Sequence, residues 1–489
     1  MAFPHNSIRD FMDDCEKVGE LAKIKEEVDW NLEAGAITRR AMEMSNGRSV
    51  KDGGQPAILF ENVRGYPEGF SILGNIATNF KQAAMIFGHP NPDKANVREI
   101  QDLVIEGMAN PIKPVLVKDG PCKENKAFGD DCNLYMFPAP MIHEGDGGRY
   151  MCTYHSIVTK DKTSDWINWG MYRAMIHDKR SLGVLFIHGQ QGPNHYYDQY
   201  EQDNEVMPCA ISINADPLSS FSAAAPIPEG ISEMDVVGGW RKKPLEVVKC
   251  ETSDLLVPAS SEIVIEGVVP PRIRAYEGPF GEYTGFRASP RDRRPVFVVK
   301  CITWRSNPVM GMSNMGMPVS ESHMINTLTK GALYRKALLD AGWPVVDVHV
   351  PLESTDLIVV SVKSGRPKIA QGVMGVILNS PCAIYTHKVI VCNEDVDVFN
   401  ISEVVTAFVE KVHPEKGVTV YHHQGNPLAP FADLTERLEQ TGPQMLIDAT
   451  WPLNWPPEIA VPPCASFTGI YPKELQEKVL SKWTKYGLK

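Results

Sequence analysis

The sequence predicts a multidomain α/β (α+β) protein in which a strand-rich middle passes through one long helix into a second α/β unit. Three observations carry that expectation. At 489 residues the chain is longer than one core accommodates, so roughly two to three domains are expected. From residue 150 to 305, short β-branched runs alternate with Gly- and Pro-rich turns, which suits a barrel or sandwich better than a doubly wound parallel sheet. The longest helical candidate then runs from Ser320 to Ala341, with Pro318 before it and Gly342-Trp343-Pro344 after it.

In chain order, Ser7 and Asp10 mark a helix start, and Ile8, Phe11, Met12, Cys15 and Val18 recur at helical spacing up to Gly19. Ala57-Ile58-Leu59-Phe60 reads as a strand before a turn at Gly65-Tyr66-Pro67. The middle strands are Val184-Leu185-Phe186-Ile187, Ala210-Ile211-Ser212-Ile213, Glu262-Ile263-Val264-Ile265 and Val296-Phe297-Val298-Val299. Beyond the long helix, Leu357-Ile358-Val359-Val360 and Val389-Ile390-Val391 read as strands and Ser402 to Val412 as an amphipathic helix. Pro-rich sequence at 452–463 predicts an extended arm leading to a last helix, Pro472 to Tyr486, stopped by Gly487. A helix on an arm must bury its apolar face somewhere, and a neighbouring subunit is the expected place.

Composition narrows the partners. A net charge of −11 argues against a nucleic-acid backbone or an anionic membrane surface. No apolar run approaches the roughly 18–20 residues that span a bilayer. The first residues, MAFPHNSIRDFMDDCEKVG, have no basic or apolar leader, so no signal peptide is expected. Ten cysteines without a CxxC pair read as buried thiols in a reducing compartment, and a soluble cytoplasmic protein is expected.

Three segments could carry chemistry. In Glu277-Gly278-Pro279-Phe280-Gly281-Glu282, two carboxylates bracket a turn; held close, they repel, and one keeps its proton near neutrality. The plain alternative is a solvated loop, since charged loops are common and perturbed pairs are not. In Asn168-Trp169-Gly170-Met171-Tyr172-Arg173, an amide oxygen and a guanidinium fork suit an ion and a carboxylate. Positions 168 and 173 differ in parity, so both reach one pocket only if the strand bulges or ends, which Gly170 permits. Otherwise this is an edge strand. In Pro226 to Glu233, Ser232 can cap a helix whose first turn holds Glu233, with or without a bound cation. His188 and His195 match no familiar ligand spacing, and His422-His423 on a strand would point apart. There is no GxGxxG after a strand, no GxxxxGK[ST], no GxSxG and no HExxH.

Eight short segments in order, FENVRGYP (60–67), EGDGG (144–148), NWGMYR (168–173), PIPEGISE (226–233), EGPFGEYTGF (277–286), NEDVDVFN (393–400), PLAPF (427–431) and MLIDAT (445–450), resemble the UbiD-like decarboxylases, which use prenylated flavin mononucleotide. The resemblance spans nearly the whole chain and is strongest toward the ferulic acid decarboxylase branch, with features of the bacterial hydroxybenzoate members. It implies a split β-barrel flavin-binding domain joined by a long helix to an α/β oligomerisation domain. The expected divisions are 1–120, 121–318, 319–342, 343–460 and a terminal arm and helix at 461–489.

The resemblance also implies roles. Asn168 and Glu233 match residues that hold a divalent ion, usually manganese, against the cofactor phosphate, with potassium expected near Trp169 and the backbone of Ser222, Ala223 and Ala225. Arg173 matches the arginine that contacts cofactor and substrate carboxylate, Glu277 its paired acid, and Glu282 the proton donor. Met171, Tyr172, Gln190 and Gln191 complete the expected cofactor contacts. Where the ferulic acid decarboxylase pattern has a metal-binding His after a Gln, this chain reads Gln190-Gln191, so the third ligand is Gln191, His188 or none. The implied reaction is reversible, non-oxidative decarboxylation of an aromatic, heteroaromatic or α,β-unsaturated acid through a covalent adduct with the cofactor, which supplies the electron sink that side chains lack. CO2, a flavin prenyltransferase as cofactor supplier, and a homodimer or larger homo-oligomer are the implied partners. Two alternatives stand beside it: a non-catalytic flavin-binding carrier or assembly protein, and a metal-dependent hydrolase.

Overall fold

A computed structural model of the chain describes residues 3–44, 55–453, 461–462 and 464–488. Its centre is a curled ten-stranded sheet resembling half a barrel. The sheet is organised on one long strand, Asp292–Trp304, which pairs with Ser181–Val184, Ile263–Val269, Arg274–Glu277 and Asn125–Phe128. Ile263–Val269 continues the sheet through Met207–Ile213 and His155–Lys160 to Ile167–Gly170. The strands bury residues on both faces, so they read as apolar runs rather than clean alternation. A register shift between Glu266 and Gly267 helps the curl.

The expected middle strands are present, with one displaced end. The run expected over 184–187 is a strand only from Ser181 to Val184. Leu185 and Ile187 instead leave the sheet and pack with Leu428 from far along the chain. The first helix starts at Ser7, whose Oγ accepts from the Asp10 backbone N at 3.2 Å, and buries Ile8, Phe11 and Cys15. The helix at Glu233–Arg241 follows Ser232, but the Ser232 hydroxyl donates to the carbonyl of Ile167 at 3.0 Å and does not cap it. That correction matters, because the serine ties this helix start to the Asn168 strand.

From Glu321 to Asp340 the chain is helical, with a π-helical stretch over Asn326–Lys330. It leads into a five-stranded sheet in the spatial order Val345–His349, Leu357–Val362, Lys388–Asn393, Thr441–Ala449 and Val418–Gln424, whose three central strands are parallel. Period-two alternation sends Ile358, Val360 and Val362 to one face, against the helix Ile369–Leu378. Val359, Ile390 and Cys392 go to the other, against Ile401–Lys411.

The terminal segment differs from expectation. The helix expected over 472–486 is divided into Lys473–Leu480 and a short turn at Trp483–Tyr486, ended by Gly487 at φ 75°. Neither part buries a residue in the single chain. Most of the Pro-rich arm, 454–460 and 463, lies outside the described residues. Among the described residues no helix is long and apolar enough to cross a membrane, and nine of the ten unpaired cysteines are buried.

Candidate active site

A cavity of about 560 Å³ opens between the curled sheet, the long helix and the C-terminal sheet, within the usual range for cofactor and ligand sites. Strand Ile167–Gly170 ends at its wall, which resolves the parity problem: Asn168 points in from the strand and Arg173 from the irregular turn after it. Gly170 is required there, since a Cβ would fall 2.2 Å from the Tyr172 hydroxyl oxygen. The turn is pinned by Met171 N donating to the carbonyl of Ala223 at 2.8 Å.

At one end stand Arg173, Glu277 and Glu282, only 8%, 1% and 4% exposed. Arg173 grips Glu277 as a fork, Nε to Oε1 and Nη2 to Oε2, both at 2.8 Å. Its remaining Nη1 contacts Glu282. The Tyr150 hydroxyl donates to Glu277 Oε1 at 2.7 Å, and the Arg173 guanidinium lies 5.3 Å over the Phe280 ring. Burial works against the arginine's charge, yet Glu277 outweighs it and holds the Arg173 pKa above its usual value. The acid-bearing loop is braced by the EGDGG segment. Asp146 accepts from Gly281 N at 3.0 Å, and Gly147 N donates to the Pro279 carbonyl at 2.7 Å. A Cβ on Gly147 would collide with the Gly278 carbonyl oxygen at 2.2 Å.

The other end gathers Asn168, Glu233 and Gln191. Asn168 Nδ2 donates to Gln191 Oε1 at 2.8 Å and to Glu233 Oε1 at 3.1 Å, while Trp169 N donates to Glu233 Oε2 at 2.7 Å. Burial pushes the Glu233 carboxyl up to about 8. Asn168 Oδ1, Gln190 Oε1 and Trp169 Nε1 are buried without a partner among the described residues. Unanswered buried oxygens beside a carboxylate that resists ionisation fit a hard cation. Among the described residues no three His, Cys, Asp or Glu side chains converge on a metal, so an ion here would rest on Glu233 and neutral oxygens. His188 is not part of the group: its side chain is 60% exposed and pairs with Asp198 at 2.8 Å. His195 is buried with Nδ1 3.0 Å from Thr159 Oγ1.

Tyr172 and Gln190 also line the cavity, and Gln190 Nε2 donates to the Tyr385 hydroxyl at 2.7 Å. Ala223 and Ala225 line it beside Trp169, whereas the Ser222 hydroxyl turns to the Ser219 carbonyl at 2.8 Å. Several residues of the site went unread in the sequence: Tyr283, Lys330 and Asp356 line the wall, while Tyr150 and Asp146 stand behind it, bonded to Glu277 and to the Gly281 backbone N. Asp146 and Tyr283 had a signal, lying within the EGDGG and EGPFGEYTGF segments.

Three family models cover almost the whole chain. The 3-octaprenyl-4-hydroxybenzoate carboxy-lyase N-terminal domain matches 12–104, the Rift-related domain 113–318 and the C-terminal domain 323–449. Pyrrole-2-carboxylic acid decarboxylase of Pseudomonas aeruginosa is 31% identical over 98% of both chains. The closed form of vanillic acid decarboxylase from Sedimentibacter hydroxybenzoicus superposes with a TM-score of 0.87 at 29% identity, over 98% of this chain and 99% of that one. An evolved dimeric form of the UbiD-class enzyme HmfF from Pelotomaculum thermopropionicum, in complex with prFMN, has a TM-score of 0.78 at 25% identity, over 94% and 97%. Domain models in the same order from end to end, together with a full-length relative, make this chain a member of the UbiD family of carboxy-lyases.

Proposed function

We propose that the chain removes CO2 reversibly from an aromatic, heteroaromatic or α,β-unsaturated carboxylic acid, using prenylated FMN. One observation carries the reading: a buried guanidinium gripped by two buried carboxylates, with Arg173 and Glu282 in the wall of a cavity of cofactor size and Glu277 bonded behind the arginine. The cofactor would supply the electron sink needed when CO2 leaves an sp² carbon. Asn168 and Glu233, with Gln191 beside them, would hold a divalent ion such as manganese against its phosphate. Trp169 and the backbone at Ser222, Ala223 and Ala225 would serve potassium. The unanswered Asn168 Oδ1 supports this assignment. Met171, Tyr172 and Gln190 would contact the cofactor.

The chain's own groups do the rest. Arg173 receives the substrate carboxylate, with Glu277 fixing the guanidinium plane. Glu282 carries the proton that its Oε delivers to the carbon losing CO2. Apolar Leu185, Ile187 and Phe280 in the wall keep water from that carbon. We further propose a cytoplasmic homo-oligomer supplied by a flavin prenyltransferase. The buried thiols support the compartment, and the apolar residues left exposed on the terminal helices support the assembly.

The test is coexpression with a flavin prenyltransferase, then CO2 release from a panel of aryl and acrylic acids. Flavin absorbance with turnover is the expected result, and Glu282→Gln should cut turnover at least about 100-fold while retaining flavin. Normal activity in that variant removes Glu282 from the mechanism. Flavin without turnover on any acid favours a carrier, and a colourless active metalloprotein favours a hydrolase.

A further inference from the structure

The long helix shows the cavity a polar stripe. Ser322, Asn326 and Lys330, at successive steps of four, all line it. Walls that close on an aromatic ligand are mostly apolar, with few and deliberate polar groups. Lys330 is only 1% exposed, and its Nζ donates to the carbonyls of Thr355 and Tyr385, each at 2.7 Å. These bonds use two of its three protons. Among the described residues no carboxylate is in ion-pair contact with it. Burial pushes its pKa down, and the nearby Asp356 charge offsets this only in part. A buried ammonium whose direct partners are neutral carbonyls is costly, and a ligand oxygen bearing negative charge would relieve that cost.

A chain of contacts links the lysine to the reaction-centre side. Asp356, whose charge it feels, lies 3.4 Å from the Tyr283 hydroxyl, and Tyr283 follows Glu282 directly. We propose that Lys330, with Asn326 and Ser322, forms a distal subsite for a second ionisable oxygen on the acid whose reacting carboxylate Arg173 receives. The ligand class is an aromatic acid bearing a ring hydroxyl or a second carboxyl. This rests on the decarboxylase reading above. A site built to bind an oxygen rejects the analogue lacking it more strongly than an apolar wall rejects an extra group, because the lysine is then left unanswered.

The experiment titrates flavin-loaded protein with benzoic, 4-hydroxybenzoic and terephthalic acids, following the flavin spectrum. At least one oxygen-bearing acid should bind about ten-fold or more tightly than benzoic acid, and the two arms tell hydroxyl from carboxyl. In Lys330→Met the ratio should collapse toward one with flavin content retained. Equal binding of all three acids by the wild type, binding of none, or an unchanged ratio in Lys330→Met overturns the proposal. Loss of flavin from Lys330→Met also overturns it, since the lysine would then serve the cofactor phosphate. Should that variant not fold, the wild-type ratios and Asn326→Leu decide by the same criterion. CO2 release is scored separately: an acid that binds through Lys330 and is never decarboxylated sinks the parent reading and leaves the subsite standing.

Discussion

The two ends of one cavity are finished to different degrees. Around Arg173, charge is answered by charge within the protein, with two bonds to Glu277, a contact to Glu282 and a tyrosine hydroxyl behind. Around Asn168, a buried amide oxygen has no partner among the described residues, and burial disfavours ionisation of the Glu233 carboxyl. The first end is preorganised by the fold alone. On the function proposed above, a bound cation would complete the second, and holding the reacting groups and holding the cofactor would be separable tasks.

Arg173→Met should break the contrast most severely. It strands Glu277 in a buried site and should cost about 3–5 kcal/mol of stability in urea unfolding, together with activity. A loss below about 1 kcal/mol would mean that the grip is not what holds this end. Glu233→Gln should do the reverse. A carboxyl pushed up to about 8 is largely protonated near neutrality, so the ion-free protein should keep its stability within about 1 kcal/mol. Cofactor loading should fall about ten-fold or more, and a chelator should reproduce that loss in the wild type.

Acid should separate the ends again. His155, bonded to the Tyr172 carbonyl at 2.9 Å, and His195, against the strand that pairs with Asn168, are both pushed down to about 4 by burial. Their pKa values are lower folded than unfolded, so the unfolded chain binds more protons in that interval. Stability is therefore fully present above about pH 6.5 and declines toward pH 4, by up to about 1.4 kcal/mol per pH unit for each histidine. Melting temperature across that range, compared with His195→Gln, measures the slope; equal slopes would clear His195 of any part in it. The smallest effect belongs to Tyr150→Phe, which removes one bond to Glu277 and leaves the fork intact. We expect about 1 kcal/mol, with turnover lowered only a few-fold.

Much of the architecture was legible because burial writes itself as local pattern. Val359 and Val360 fall on opposite faces of the C-terminal sheet as period two requires, and Ser7 caps the helix whose apolar positions follow it. The misreadings share one cause. Leu185-Phe186-Ile187 reads as strand because it is apolar, yet Leu185 and Ile187 are apolar to line a cavity and meet Leu428. Ser232 has the chemistry of a cap but a better-placed acceptor in Ile167, distant in sequence. In the site, Arg173, Glu277 and Glu282 stood out as a guanidinium and an acid-bracketed turn within a family-like order. Tyr150 did not, and Asp146 stood inside the EGDGG segment without a role, since the groups they hold lie 127 and 135 residues away and no local pattern records those contacts.

The sequence alone determined the inventory: which side chains can carry charge, which runs must be buried, and in what order the units follow. Tertiary structure decided which of those groups go unanswered. Among the described residues, Asn168 Oδ1 lacks a partner and Lys330 bonds carbonyls in place of a carboxylate because elements distant in sequence close around them. The energy of a polar atom depends on the burial and partners that the whole fold assigns it, and neither is a property of the residue itself.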